Sequence, residues 1–133
     1  MSRIFVDTSA LFALLVASDT NHSKAKRAFR VLETREARLL TSSYVLVESY
    51  ALLLHRVGLD AVRDFRGDFA PLLDVMWVNA ELHEAGMDLL LERRSRKISL
   101  VDAVSFQVMR SERIDEAFAY DRHFEQEGFT VVA

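Results

Sequence analysis

Cysteine is absent from the 133-residue chain, which excludes disulfides, thiolate zinc sites and cysteine nucleophiles. Without thiols the redox compartment is unmarked, and the cytoplasm is the default expectation. Proline occurs once and glycine four times, and no stretch is rich in Ser, Pro or Gly, so neither a linker nor a disordered tail is expected. Long hydrophobic runs are missing too. The longest, over 10–17, has eight residues, far short of the ~20 that a spanning helix requires. Asp7 interrupts any early signal-peptide core, so no membrane association is expected. A chain-wide basic surface is also lacking: 17 Lys and Arg stand against 20 Asp and Glu, a formal charge of −3. Any contact with nucleic acid must therefore be local.

What is present is enough apolar material for one compact domain over 1–133, since half of the residues are hydrophobic. Residues 3–6, Arg-Ile-Phe-Val, read as a buried strand, followed by the capping residues Asp7, Thr8 and Ser9 and a helix over 10–16. A second helix is expected over 22–35, a strand over 37–41, and a third helix opening at Ser42 and Ser43 and running to Arg56, with Gly58 ending it. Residues 59–73 read as helical, 75–78 as a strand, and Asn79 as the cap of a helix over 80–94. Ser99 caps a helix over 100–113, and the chain closes with an apolar run over 117–120, Asp121, a short helical turn and Thr130-Val131-Val132. Strands alternating with helices predict an α/β architecture with a parallel sheet covered on both faces. Ligands in such sheets gather where the strands end. Asp7 and Asp121 fall there.

Four acids need an explanation. Asp7 and Asp121 could each cap a helical turn, and Ser99 with Asp102 has capping-box spacing. Glu48 cannot be an end cap. It sits inside the third helix, in an eleven-residue stretch over 44–54 with nine apolar positions, and a helix apolar nearly all round is expected to be buried. An unpaired buried carboxylate costs several kcal/mol unless it is protonated, salt-bridged or bound to a metal. An ion pair with an Arg, a residual solvent-facing stripe on the helix and a metal role each answer that cost. Four carboxylates meeting in one place would repel, so such a cluster needs cations, and hard oxygen ligands suit Mg²⁺ or Mn²⁺. Phosphodiester chemistry is the natural use of such a site.

Phe5-Val6-Asp7-Thr8-Ser9, Ser43-Tyr44-Val45-Leu46-Val47-Glu48, Ile98-Ser99-Leu100-Val101-Asp102-Ala103 and Ala119-Tyr120-Asp121-Arg122-His123-Phe124 together resemble the PIN-domain ribonucleases, and within them the VapC-type toxins of toxin-antitoxin pairs. The resemblance implies a PIN-like α/β/α sandwich with a central parallel sheet. It makes Asp7, Glu48, Asp102 and Asp121 the catalytic quartet that binds one or two Mg²⁺ or Mn²⁺ ions. Thr8 or Ser9 would support the first acid, and Ser99 or Ser105 would hold Asp102 or a metal-bound water. The implied activity is hydrolysis of RNA to 5′-phosphate and 3′-hydroxyl ends. A cognate antitoxin protein whose tail fills the acidic groove is implied as a partner, and so is a homodimer. The same fold without catalysis, as an RNA-binding or protein-interaction module, is the alternative; the intact quartet speaks against it.

Arg93, Arg94, Arg96 and Lys97 place four cations just before Ser99 and Asp102. They suit an RNA backbone or an ordinary solvated helix end. Lys24, Lys26, Arg27 and Arg30 are expected to form only a solvated face. The four histidines show no metal-ligand spacing, although His123 lies beside a candidate ligand. Trp77 and the nine phenylalanines are expected in the core. A phosphoacceptor receiver domain would want an Asp after the third strand, where Asn79 and Ala80 stand. Haloacid-dehalogenase chemistry wants a second Asp where Ser9 stands. No P-loop or GxGxxG is present. With the quartet set aside, 17 positive charges face 16 negative ones, so the acidic total describes a nearly neutral surface around a concentrated carboxylate site.

Overall fold

The computed structural model describes residues 2–133. Five parallel strands form one sheet in the order β3-β2-β1-β4-β5: β1 (Arg3–Val6), β2 (Arg38–Ser42), β3 (Leu73–Met76), β4 (Glu116–Phe118) and β5 (Thr130–Val132). Ile4, Phe5 and Val6 on the central strand are fully buried, as expected of a strand covered on both faces. Helices α1 (Thr8–Leu15), α2 (His22–Thr34), α3 (Ser43–Arg56), α4 (Leu59–Asp64), α5 (Ala80–Arg93), α6 (Leu100–Glu112) and α7 (His123–Gln126) flank it, giving the α/β/α arrangement expected. Because β2 and β3 lie on one side of β1 and β4 and β5 on the other, the strand order reverses between β1 and β4. In sheets of this kind ligands bind outside the carboxyl ends of the strands at such a reversal.

Local chemistry sets most boundaries. Asp7, Ser42, Asn79 and Ser99 each accept a backbone N–H from the first turn of the following helix. At Ser99 the full capping box forms with Asp102. Gly58, with φ of 132°, turns the chain after α3 in a conformation that side chains disfavour.

Three expectations change. The helix over 59–73 breaks up: α4 ends at Asp64, a π-turn spans Phe65–Phe69, and a single 3₁₀ turn, Ala70–Leu72, carries Pro71. Proline lacks the N–H that would continue a helix and restricts the residue before it. As a result β3 begins at Leu73, two residues earlier than expected, and pairs Leu39 with Leu73 and Ser42 with Met76. Trp77 thus falls beyond the strand and is 74% exposed rather than in the core. Helix α3, expected to be buried all round, presents Val47 at 67% and Leu54 at 50% exposure. The phenylalanines do enter the interior, with Phe5, Phe65, Phe106, Phe118 and Phe124 fully buried.

Candidate active site

Asp7 follows β1, and its backbone N–H donates to the Phe118 carbonyl of β4 at 3.0 Å, so the chain leaves both central strands side by side. The Asp7 side chain is 4% exposed. Its Oδ2 accepts the Ser9 backbone N–H at 3.1 Å and the Ser9 hydroxyl at 2.6 Å. Ser9 Oγ also accepts the Tyr120 backbone N–H at 2.9 Å, which fixes the β4 exit against the start of α1. Capping therefore explains the local bonds of Asp7, yet it does not explain why a carboxylate stands almost fully buried with no Lys or Arg paired to it.

Burial pushes the Asp7 carboxyl up to about 7, and the charges of Asp102 and Glu48 push the same way against the bonds from Ser9. Glu48, half-buried on α3, is raised by desolvation and by Asp102 and Asp121, with the neighbouring Thr8 hydroxyl pulling down. Asp102 is raised by desolvation and by Asp121, although its bonds to Ser99 oppose the shift. The charges of Asp7, Glu48, Asp102 and Asp121 thus act on one another, while the ligating atoms that lie within 4.8 Å of one another are those of Asp102, Asp121 and His123. Among the described residues no Lys or Arg forms a salt bridge with any of the four. Such an oxygen-rich donor set, with His123 beside it but no Lys or Arg paired to it, fits a hard divalent cation.

The candidate supporting residues are distributed as follows. Ser99 and Asp102 exchange two 3.0 Å bonds, Ser99 N–H to Asp102 Oδ2 and Asp102 N–H to Ser99 Oγ. Thr8 is buried and donates to the Val45 carbonyl at 3.4 Å while accepting from Ser49 Oγ at 3.3 Å, which ties α1 to α3 one residue from Glu48. Ser105 is fully buried and donates to the Val101 carbonyl at 2.8 Å, so its proton goes to the helix rather than to Asp102. Two contributors are given no role by the sequence pattern, although His123 lies within the fourth motif. Ser49 is hidden in an apolar helix, and His123 sits two residues past Asp121, with Nδ1 2.5 Å from Asp121 Oδ1.

The basic segment is divided. Arg93 closes α5 and makes bonds of 2.8 and 3.0 Å to Glu127, which also accepts from Arg110 at 2.7 Å. Arg93 is thereby committed to an internal ion pair. Arg94, Arg96 and Lys97 are exposed on the loop that enters α6 at Ser99.

The PIN domain family model matches residues 4–129. The chain is 38% identical over 130 residues, 97% of each partner, to the 23S rRNA-specific endonuclease VapC20 of Mycobacterium tuberculosis. The crystal structure of that protein, described as a sarcin-ricin loop cleaving toxin, superposes with a TM-score of 0.84 at 37% identity over 96% of both chains. VapBC2 of Rickettsia felis, solved bound to a DNA fragment from its promoter, shares the fold at a TM-score of 0.72 and 12% identity, over 97% of this chain and 96% of that one.

Proposed function

The chain belongs to the PIN domain family, and on that premise we propose that it is a metal-dependent endoribonuclease, a single domain over 1–133 serving as the toxin of a toxin-antitoxin pair. The observation that carries this reading is the buried Asp7 carboxylate, held by Ser9 where β1 and β4 end, under the charge of acids that no Lys or Arg pairs with. Asp7, Glu48, Asp102 and Asp121 would hold Mg²⁺ or Mn²⁺. When bound, the ion offsets charge on the phosphodiester and makes a water more acidic.

The chain's own residues do the rest. Ser9 and Ser99 keep the Asp7 and Asp102 carboxylates turned into the pocket. Glu48, half-buried with a raised proton affinity, orients the attacking water and takes its proton. Water oxygen bonds to phosphorus as the bond to the 3′ oxygen breaks, and that oxygen takes a proton from solvent, leaving a 5′-phosphate and a 3′-hydroxyl. Arg94, Arg96 and Lys97 bind the RNA backbone beside the pocket. The near-complete overlap with VapC20 supports 23S rRNA as the first substrate to test and the cytoplasm as the compartment. An antitoxin segment bearing a basic side chain would suit the uncompensated acids. Exposed Val47 and Leu54 on α3 support a homodimer through that helix. No helix of the described residues is long and apolar enough to cross a membrane.

Purified chain incubated with 23S rRNA and Mn²⁺ or Mg²⁺, followed by mapping of 5′ ends, tests the proposal. Discrete cleavage that disappears in Asp7→Asn is expected. An Asp7→Asn protein that cuts as well as the native one, or native protein that cuts no RNA, would overturn it.

A further inference from the structure

The four acids do not account for every ligating atom at the mouth of the pocket. Asp102, Asp121 and His123 each offer one atom, a carboxylate oxygen or a ring nitrogen, and the three atoms lie within 4.8 Å of one another. Ligands around one six-coordinate ion of this size stand about 3 Å apart when adjacent and about 4.2 Å apart when opposite. Movements of a few tenths of an ångström would bring the three onto a common ion. The His123 ring is held where this requires. Its backbone N–H donates to Asp121 Oδ1 at 2.9 Å and its Nδ1 lies 2.5 Å from the same oxygen, so the turn into α7 locks ring and carboxylate together. The side chain is mostly buried, and Asp121 is its only hydrogen-bonding partner among the described residues.

We propose that His123 supplies a nitrogen ligand to the metal pocket, making Asp102, Asp121 and His123 an outer subsite that retains Mn²⁺ in preference to Mg²⁺. The inference rests on the reading of the pocket as a metal site. Its chemical basis is ligand hardness: Mg²⁺ keeps to oxygen ligands and gives up its waters reluctantly, whereas Mn²⁺, although the weakest binder of the first-row divalent ions, takes a nitrogen ligand more readily than Mg²⁺ does. The competing role is that His123 only hydrogen-bonds Asp121 and orients it, as groups around a metal site commonly do. That role would affect both ions alike.

The test uses the full chain loaded with Mn²⁺ and pulsed electron paramagnetic resonance, which detects a nitrogen nucleus bonded to the ion. Modulation from ¹⁴N is expected in the native protein, replaced by the ¹⁵N pattern when histidine is isotopically labelled and lost in His123→Gln. By calorimetry, His123→Gln is expected to weaken Mn²⁺ binding about tenfold and Mg²⁺ binding less than threefold. Mn²⁺ bound without nitrogen modulation in the native protein, or equal losses for the two ions, overturns this inference while leaving the nuclease reading in place. Absence of any Mn²⁺ binding that Asp102→Asn removes overturns both.

Discussion

The Ser9 hydroxyl donates to Asp7 Oδ2 at 2.6 Å while accepting the Tyr120 backbone N–H at 2.9 Å, so one small side chain joins the first acid of the pocket to the segment that carries the last. Ser9→Ala removes both bonds. The part-buried Tyr120 N–H loses its partner, and a donor left unsatisfied costs up to about 1–3 kcal/mol where water cannot replace the bond. Denaturant unfolding of the metal-free variant should show a loss in that range. Divalent-ion affinity at pH 7 should also fall, because the bonds from Ser9 are what keep the Asp7 proton affinity from rising further.

Asp7 also sets a pH dependence. Its carboxyl is raised from 3.8 to about 7 in the folded protein, first by burial. Between those values the native state holds a proton that the unfolded chain has released, so the associated stability is full below about pH 4 and is lost as pH rises through 7. The span corresponds to at most about 4 kcal/mol. Metal-free native protein should therefore become less stable from pH 5 to pH 8. Asp7→Asn should flatten that slope and be the more stable of the two at pH 8, whereas saturating Mn²⁺ should reverse the order. Thermal melts across pH, with and without the ion, read all three outcomes.

The places where sequence and structure part have physical causes. Asp7, Ser42, Asn79 and Ser99 were legible because a capping side chain reports its own position within a turn. Strand β3 was not, because it is an edge strand with Asp74 exposed, so the apolar run that seemed to mark it extends past its end into Trp77. Pro71 was the available signal for the shift. Glu48 was legible as an anomaly, an acid inside an apolar helix, although it is partly exposed and Val47 and Leu54 face outward. Arg93 and Glu127 are far apart in sequence, and nothing local distinguishes a paired arginine from its free neighbours Arg94 and Arg96.

That ion pair gives the opposite pH behaviour. Glu127, with 8% of its side chain exposed, is lowered from 4.5 to about 2, chiefly by its hydrogen bond to Arg93. A depressed carboxyl contributes stability that is present above about pH 4.5 and lost as pH falls through 2. Because Arg93 and Arg110 are partly solvated, the contribution at pH 7 is about 1–2 kcal/mol. Glu127→Gln should remove that amount at pH 7 and much less at pH 2.5, as followed by urea unfolding at both values.

The basic loop can be divided by salt dependence. Replacing Arg94, Arg96 and Lys97 together by Glu should weaken RNA binding and make the slope of log K against log salt shallower by about two to three, with melting temperature little changed because none of the three has a buried partner. Arg93→Glu should behave differently, placing a like charge against Glu127 and lowering stability before it affects RNA. Binding isotherms at several salt concentrations, read beside melts, separate the two. An unchanged slope in the triple variant would remove the loop from the RNA path.

Helix α6, which carries Asp102, is positioned by a close approach at Gly86. A Cβ at that position would stand 2.5 Å from Val104 Cγ2 and 3.3 Å from the Val104 backbone nitrogen, and Val104 is fully buried. The valine methyl group could be removed by mutation, but the backbone contact persists, so any side chain at 86 must push α5 and α6 apart by a few tenths of an ångström. Gly86→Ala gains about 1 kcal/mol of helix propensity and meets an overpacking penalty of about 1–3 kcal/mol. The balance should be a net loss, with a lower melting temperature. Asp102 lies two residues from Val104, so the same displacement should weaken Mn²⁺ binding measured by calorimetry. Adding Val104→Ala to Gly86→Ala removes the closest clash and should recover metal affinity more fully than stability, because the smaller side chain leaves its own packing defect. A Gly86→Ala protein that melts higher than the native one and binds Mn²⁺ equally well would show that the interhelix distance is not what places Asp102.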